Sequence, residues 1–132
     1  MAITILVADD SPQNRELLRS VMEHCQYNVV EAENGQHAVA LAQLLNPSLI
    51  LMDLQMPELD GYQALAAIRK IPELQFTPVI AFTAYAMPED ESKAMAAGFS
   101  GFLTKPVPLS FLRNEVARFL NRSAFAAGES NH

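Results

Sequence analysis

Hydrophobic and polar positions along the chain switch repeatedly between two periods. Ile3 to Ala8 is a short continuous apolar run, the pattern of a strand buried on both faces. Pro12 follows where a first helical turn tolerates it, and Leu17, Leu18, Val21, Met22 and Cys25 then recur at helical spacing along one face. Val29-Val30 predicts a brief second strand. Asn34-Gly35 marks a turn into a second helix carrying Ala38, Val39, Leu41, Ala42 and Leu45, which Asn46-Pro47 stops. Leu49 to Met52 reads as a third strand, Tyr62, Leu65, Ala66 and Ile68 as a third helix closed before Pro72, and Val79 to Phe82 as a fourth strand. An Ala-rich helix from about Glu89 to Ala97 ends at Gly98. Phe102-Leu103 gives a fifth strand, and Leu112, Val116, Phe119 and Leu120 stripe a last helix. Residues 122–132 are expected to form a short, fraying tail.

Five strands alternating with five helices imply a parallel sheet covered on both faces, a doubly wound (βα)5 three-layer α/β sandwich. Periodicity alone leaves the strand order open. At 132 residues the chain suffices for one domain with its own core and is too short for two ordinary ones. The apolar runs fall well short of the roughly 20 residues needed to span a bilayer. The apolar N-terminus runs into Asp9-Asp10 with no basic stretch before it, which fits a first strand rather than a signal peptide. A net charge of −6 disfavours a generic nucleic-acid or anionic-membrane surface. Cys25 is the single cysteine, which excludes an intramolecular disulfide and predicts a reducing, cytoplasmic setting.

Ligands of open parallel sheets bind beyond the carboxyl ends of the strands. Asp9 and Asp10 fall there after the first strand, Asp53 after the third, Thr83 after the fourth and Lys105 after the fifth. Glu31 to Glu33, after the second, is less distinctive. Carboxylates brought together repel unless something positive neutralises them, and there are two candidates, a hard divalent cation with oxygen ligands and Lys105. Mg²⁺ suits few protein ligands better than Ca²⁺, and zinc is disfavoured because no cysteine or histidine lies in the cluster. A carboxylate beside such a cation, a lysine and a hydroxyl is fit to accept a phosphoryl group. Each residue also has a bland role. Asp10 and Ser11 could cap the first helix, Asp53 a turn, Thr83 could serve its strand, and Lys105 could be a solvated surface lysine. Their convergence on one rim sets those roles aside as the whole account. Asp60-Gly61 reads as shaping the loop into the third helix. His24, His37 and His132 are scattered and share no ligand spacing.

Asp9-Asp10, the run Leu51-Met52-Asp53-Leu54-Gln55-Met56-Pro57-Glu58-Leu59-Asp60-Gly61, Thr83-Ala84 and Lys105-Pro106 together resemble the signature of response-regulator receiver domains. The resemblance covers residues 3 to about 121 in order, and places the domain at 1–121. It implies a flavodoxin-like sheet in the order 2-1-3-4-5 and a cis Lys105-Pro106 bond. It implies Asp53 as phosphoacceptor, Asp10 as a direct Mg²⁺ ligand, Asp9 acting through a metal-bound water, and the backbone carbonyl of Gln55 completing a set that includes Asp53. Mn²⁺ is the expected substitute ion. Lys105 would pair with Asp53 and then with the phosphoryl group. Thr83 and Phe102 would be the switch residues, Phe102 standing where tyrosine is common. Gln55 and Tyr85 would flank the site, with Tyr85 shielding it from water.

The implied protein is a signalling receiver, not an enzyme acting on outside substrates. Its implied upstream partner is a histidine kinase or histidine phosphotransfer protein. That partner is expected on the first turns of helix 1, around Asn14, Leu17 and Leu18, and at Pro106-Val107. The downstream partner is a protein on the face of helix 4, strand 5 and helix 5, with no direct nucleic-acid or membrane contact. Asn14-Arg15 and Thr83-Ala84-Tyr85-Ala86 look most like receivers from hybrid kinases or stand-alone receivers. No effector domain is expected after residue 121. Three rivals fit less well. An aspartyl-phosphate hydrolase needs an acid two residues after its nucleophile, where Gln55 stands. A nucleotide or flavin module wants a Gly- or Ser/Thr-rich loop where the two aspartates stand. A phosphorylation-dead scaffold has no need of the full residue set.

Overall fold

In a strand covered on both sides, successive side chains enter opposite apolar layers, so the whole strand reads as apolar. A computed structural model, which describes residues 3–84 and 87–129 and side chains only through residue 121, shows this in each central strand. The strands are β1 (Thr4–Ala8), β2 (Asn28–Ala32), β3 (Leu49–Asp53), β4 (Val79–Thr83) and β5 (Gly101–Thr104). Ile5, Val7, Leu49, Leu51, Ile80 and Phe82 enter one layer, with Leu18, Met22, Leu112 and Val116 packed over them. Leu6, Ala8, Ile50, Met52, Val79 and Ala81 enter the other, against Ala38, Leu65 and Ile68.

The sheet is parallel throughout, in the order β2-β1-β3-β4-β5. Helices α1 (Pro12–His24) and α5 (Leu109–Glu129) supply the first layer, and α2 (Gly35–Leu45), α3 (Gly61–Arg69) and α4 (Pro88–Ala97) lie on the second. The doubly wound sandwich and the 2-1-3-4-5 order are therefore as expected, and Lys105-Pro106 is cis. Among the described residues no helix is long and apolar enough to cross a membrane.

Local chemistry starts the helices where the turn residues indicated. Ser11 Oγ accepts from Asn14 N–H at 3.3 Å, and Asn34 Oδ1 accepts from His37 N–H at 2.7 Å. Asp60 and Gln63 form a reciprocal capping box, which gives Asp60 the structural role expected of it. Gly61 is required by close approach: a Cβ there would lie 2.6 Å from the Asp53 carbonyl oxygen. The return from β3 into α3 thus packs directly against the backbone of Asp53.

Two features depart from the pattern reading. A short 3-10 turn, Pro72–Leu74, precedes β4. The last helix also passes the expected boundary at residue 121 and carries its backbone to Glu129. The run Ala124-Phe125-Ala126-Ala127 has few turn formers, and alanine sustains a helix without needing an apolar face to bury.

Arg69, at the end of α3, ties that region together. Its Nη1 donates to the carbonyls of Leu74 at 2.9 Å and Thr77 at 2.7 Å, and its Nη2 to that of Gly98 at 3.2 Å. Arg69→Ala would leave these carbonyls without their charged donor. We expect a loss of about 2 kcal/mol and a fall of several degrees in Tm, read by thermal unfolding. A Tm within a degree of wild type would show that water replaces the guanidinium.

Candidate functional site

The register of the sheet decides which polar residues meet. β1 and β3 are neighbours, with Ala8 paired to Met52, so the next residues along, Asp9 and Asp53, emerge side by side at the carboxyl rim. β4 lies on the other side of β3, ending in buried Thr83, and β5 lies beyond it. Lys105, just past β5, is anchored by its own N–H, which donates to the Thr83 carbonyl at 2.8 Å. Its side chain reaches back across the rim, passing the Phe82 ring with Nζ 5.2 Å from the centroid. Nζ donates to Asp9 Oδ2 at 2.8 Å and to Asp53 Oδ2 at 3.1 Å.

The other carboxylate oxygens are held by local backbone. Asp9 Oδ1 accepts from Ser11 N–H at 2.8 Å, and Asp53 Oδ1 accepts from Gln55 N–H at 3.0 Å. Asp9 and Asp53 are buried while Asp10 is exposed, yet one oxygen of each of the three lies within 4.8 Å of the others. All donors are hard carboxylate oxygens, with neither sulfur nor imidazole, and one member opens to solvent. That set fits a small divalent cation that keeps part of its water shell.

Burial pushes the Asp53 carboxyl above its ordinary range; the Gln55 N–H and Lys105 pull it down, and the nearby Asp9 charge pushes it up again. Burial works against the Lys105 ammonium, but its hydrogen bond to Asp9 and the charges of Asp53 and Asp9 outweigh it, so its pKa is raised. The site is therefore short of positive charge as it stands.

Phe102 is half-buried in β5 against the layer under α2, α3 and α4. Gln55 is exposed at the loop after β3, and Tyr85 lies outside the described residues. Beside Lys105 an apolar cleft of about 320 Å³ opens between α1 and the start of α5. Asn14, Leu17, Leu18, Pro106 and Val107 all line it, which brings together the residues expected at an upstream partner's docking surface. Pattern reading missed two further polar residues. Arg15 donates to the Asp9 carbonyl at 2.7 Å, and Glu31 binds Arg15 at 3.0 Å. The only sequence signal for that pair was a charged residue at the end of an otherwise apolar strand.

Residues 5–117 match the family model for the response regulator receiver domain. The chain belongs to that family. This receiver is 39% identical over 119 residues to the histidine-protein kinase BarA of Escherichia coli, a match covering 90% of this chain and 13% of BarA. The chain thus spans about an eighth of that relative's length. It is 35% identical to the response regulator DivK of Brucella anthropi, covering 81% of this chain and 87% of DivK. Among solved structures, the receiver domain of the sensor kinase PA1611 of Pseudomonas aeruginosa superposes with a TM-score of 0.85 at 30% identity, covering 92% and 99% of the two chains. That structure holds a magnesium ion in its active-site cleft. Receiver domains are signalling modules of two-component systems that interact with histidine kinases or phosphotransfer proteins and bind Mg²⁺ in an acidic pocket, and Asp9, Asp10 and Asp53 form an acidic cluster in this chain.

A carboxyl whose folded pKa is raised contributes its stability below its ordinary pKa and loses it as pH climbs through the raised value. At neutral pH charged Asp53 is thus a net cost to the metal-free fold. In EDTA at pH 7, Asp53→Asn should unfold a few degrees higher than wild type, on the order of 1 kcal/mol, with the gap closing as pH approaches 4. A Tm at or below wild type at pH 7 would show that the Lys105 pairing outweighs burial.

Proposed function

We propose that this receiver accepts a phosphoryl group on Asp53 from the phosphohistidine of a histidine kinase or histidine phosphotransfer protein. The observation that carries the reading is the Asp53 carboxylate, buried at the rim and paired with Lys105, whose ammonium also binds Asp9, with Asp10 closing the cluster. An Asp53 carboxylate oxygen attacks phosphorus in line, an O–P bond forms, and the P–N bond to the donor imidazole breaks. The departing nitrogen keeps the electron pair and is left as neutral imidazole once its protonation balances with solvent.

Asp10, Asp53 and the Gln55 carbonyl would hold Mg²⁺ directly, with Asp9 acting through a bound water, and Mn²⁺ would substitute. The ion supplies neutralising charge for the phosphoryl oxygens. Lys105, now 3.1 Å from Asp53, moves its ammonium to a phosphoryl oxygen and keeps Asp9 as its second partner. Thr83, buried at the adjacent strand end, turns its hydroxyl to another phosphoryl oxygen, and Phe102 turns further inward behind it. The surface of α4, β5 and α5 then changes its preferred protein partner.

The apolar cleft beside Lys105 supports docking of the donor on α1 and the Pro106-Val107 loop. A donor seated there brings its imidazole to the same rim from which the Asp53 carboxylate is reached.

Intact-mass spectrometry after incubation with acetyl phosphate tests the chemistry. We expect a Mg²⁺-dependent phosphoryl adduct on wild type and none on Asp53→Asn. If no adduct forms with acetyl phosphate or with a phosphohistidine donor, although the protein is folded and binds Mg²⁺, the acceptor role is wrong.

Leu17, half-exposed in the cleft, tests the docking surface. Leu17→Glu should slow transfer from a phosphohistidine protein roughly tenfold, as loss of a central apolar contact does, with the acetyl phosphate rate unchanged. Equal slowing with both donors would place the effect in the site and not in docking.

A further inference from the structure

Arg15, on the first turns of α1, keeps only 15% of its side chain exposed and divides its guanidinium between two elements. Nη1 donates to the Asp9 carbonyl at 2.7 Å, and Nε donates to Glu31 Oε1 at 3.0 Å. Glu31 lies in β2, and its other oxygen accepts from Arg19 Nε, one turn further along α1. A run of charged contacts therefore leads from Arg19 through Glu31 and Arg15 to one backbone oxygen at the site.

That oxygen belongs to the peptide joining Asp9 to Asp10. Peptides are planar, so holding the oxygen fixes the direction of the Asp10 N–H and the position of its Cα. Asp9 is already committed at its other polar atoms. Its N–H donates to the Ala32 carbonyl at 3.1 Å, Oδ1 accepts from Ser11 N–H at 2.8 Å, and Oδ2 accepts from Lys105 at 2.8 Å. Asp10 differs: it is exposed, and no hydrogen bond from a described residue holds its side chain. The aim of its carboxylate depends on the backbone beneath it.

We infer that Arg15 is a positioning residue for the divalent-cation site, orienting the Asp9–Asp10 peptide so that the Asp10 carboxylate meets those of Asp9 and Asp53. Glu31 and Arg19 in turn orient Arg15. The inference rests on the Mg²⁺ reading above. Arginine suits the role because its planar fork presents Nε and Nη1 in fixed, different directions, whereas a lysine ammonium is one point donor. Glu31 offsets the added positive charge, so Arg15 acts through geometry. Arg15 touches Asp9 only at its backbone carbonyl, so its loss should act on affinity for the ion and be recovered at full occupancy.

The test titrates Mg²⁺ into wild type, Arg15→Lys and Glu31→Gln. One readout is Mg²⁺ affinity by isothermal calorimetry or amide chemical shift, and the other is the acetyl phosphate adduct rate as a function of Mg²⁺. Arg15→Lys should weaken Mg²⁺ binding about tenfold, and Glu31→Gln about threefold. At saturating Mg²⁺ the adduct rates should return to within about twofold of wild type. An unchanged Mg²⁺ affinity in folded Arg15→Lys overturns the inference, as does a lowered rate at saturation with unchanged affinity, which would make Arg15 a direct participant. Should Arg15→Lys fail to fold, Glu31→Gln decides by the same criterion. Failure of the wild-type protein itself to bind Mg²⁺ would remove the metal reading and this one with it, and no variant is needed to see that outcome.

Discussion

Lys105 holds two buried carboxylates at once, Asp9 at 2.8 Å and Asp53 at 3.1 Å, and the rim of the sheet is arranged around keeping these three charges together. Breaking a buried pair by removing one partner typically costs several kcal/mol, because the remaining charge keeps its desolvation penalty. Two carboxylates against one ammonium is already an excess of negative charge, and Asp10 adds to it. The fold tolerates the excess by tying the remaining oxygens to backbone N–H groups and leaving Asp10 in solvent. What is left over is an excess of negative charge, which is the property that the proposed cation and phosphoryl chemistry would draw on.

The sheet order makes the arrangement reachable. β1 and β3 are adjacent, so Asp9 and Asp53 need only short side chains to meet. β5 stands two strands from β3, a distance of about 10 Å at ordinary strand spacing. Only a long side chain spans it, and the four methylenes of lysine do so over the apolar Phe82 ring. The need for a long cationic side chain at that position follows from the topology.

The strands and the rim residues were legible because they obey local rules. Buried strands must be continuous apolar runs, and a parallel sheet must present its ligands at the strand ends, so Asp9, Asp10, Asp53, Thr83 and Lys105 could be placed without knowing any contact. The motif around Asp53 then identified the family. Arg15, Glu31 and Arg69 were not legible, because each acts through a backbone carbonyl or a charged partner on another element. No periodicity marks such contacts; they depend on how a helix sits over a strand end. The backbone of α5 runs on to Glu129 because small residues that interrupt an apolar stripe do not interrupt a helix, and alanine has the highest intrinsic helix propensity.

The molecule is unevenly braced, and the imbalance matches the roles proposed for its two sides. On the α1 side, Arg15, Arg19 and Glu31 tie the helix to β2 and to the Asp9 backbone. On the other, Ala94 is the buried residue of α4, whose further ties are the Lys93 ammonium 4.9 Å from the Tyr62 ring centroid and the Arg69 bond to Gly98 at its end. Segments with few buried apolar contacts open at the lowest free-energy cost. A phosphoryl group bonded by Lys105 and Thr83 offers only a few kcal/mol of difference between two states, since each hydrogen bond to a charged group contributes roughly 1.5–3 kcal/mol. That is enough to redirect a lightly anchored helix and too little to repack the core. A switch built on Thr83 and Phe102, as proposed, would therefore act through α4 and β5, while the charged ties of α1 hold the Asp9 backbone in place.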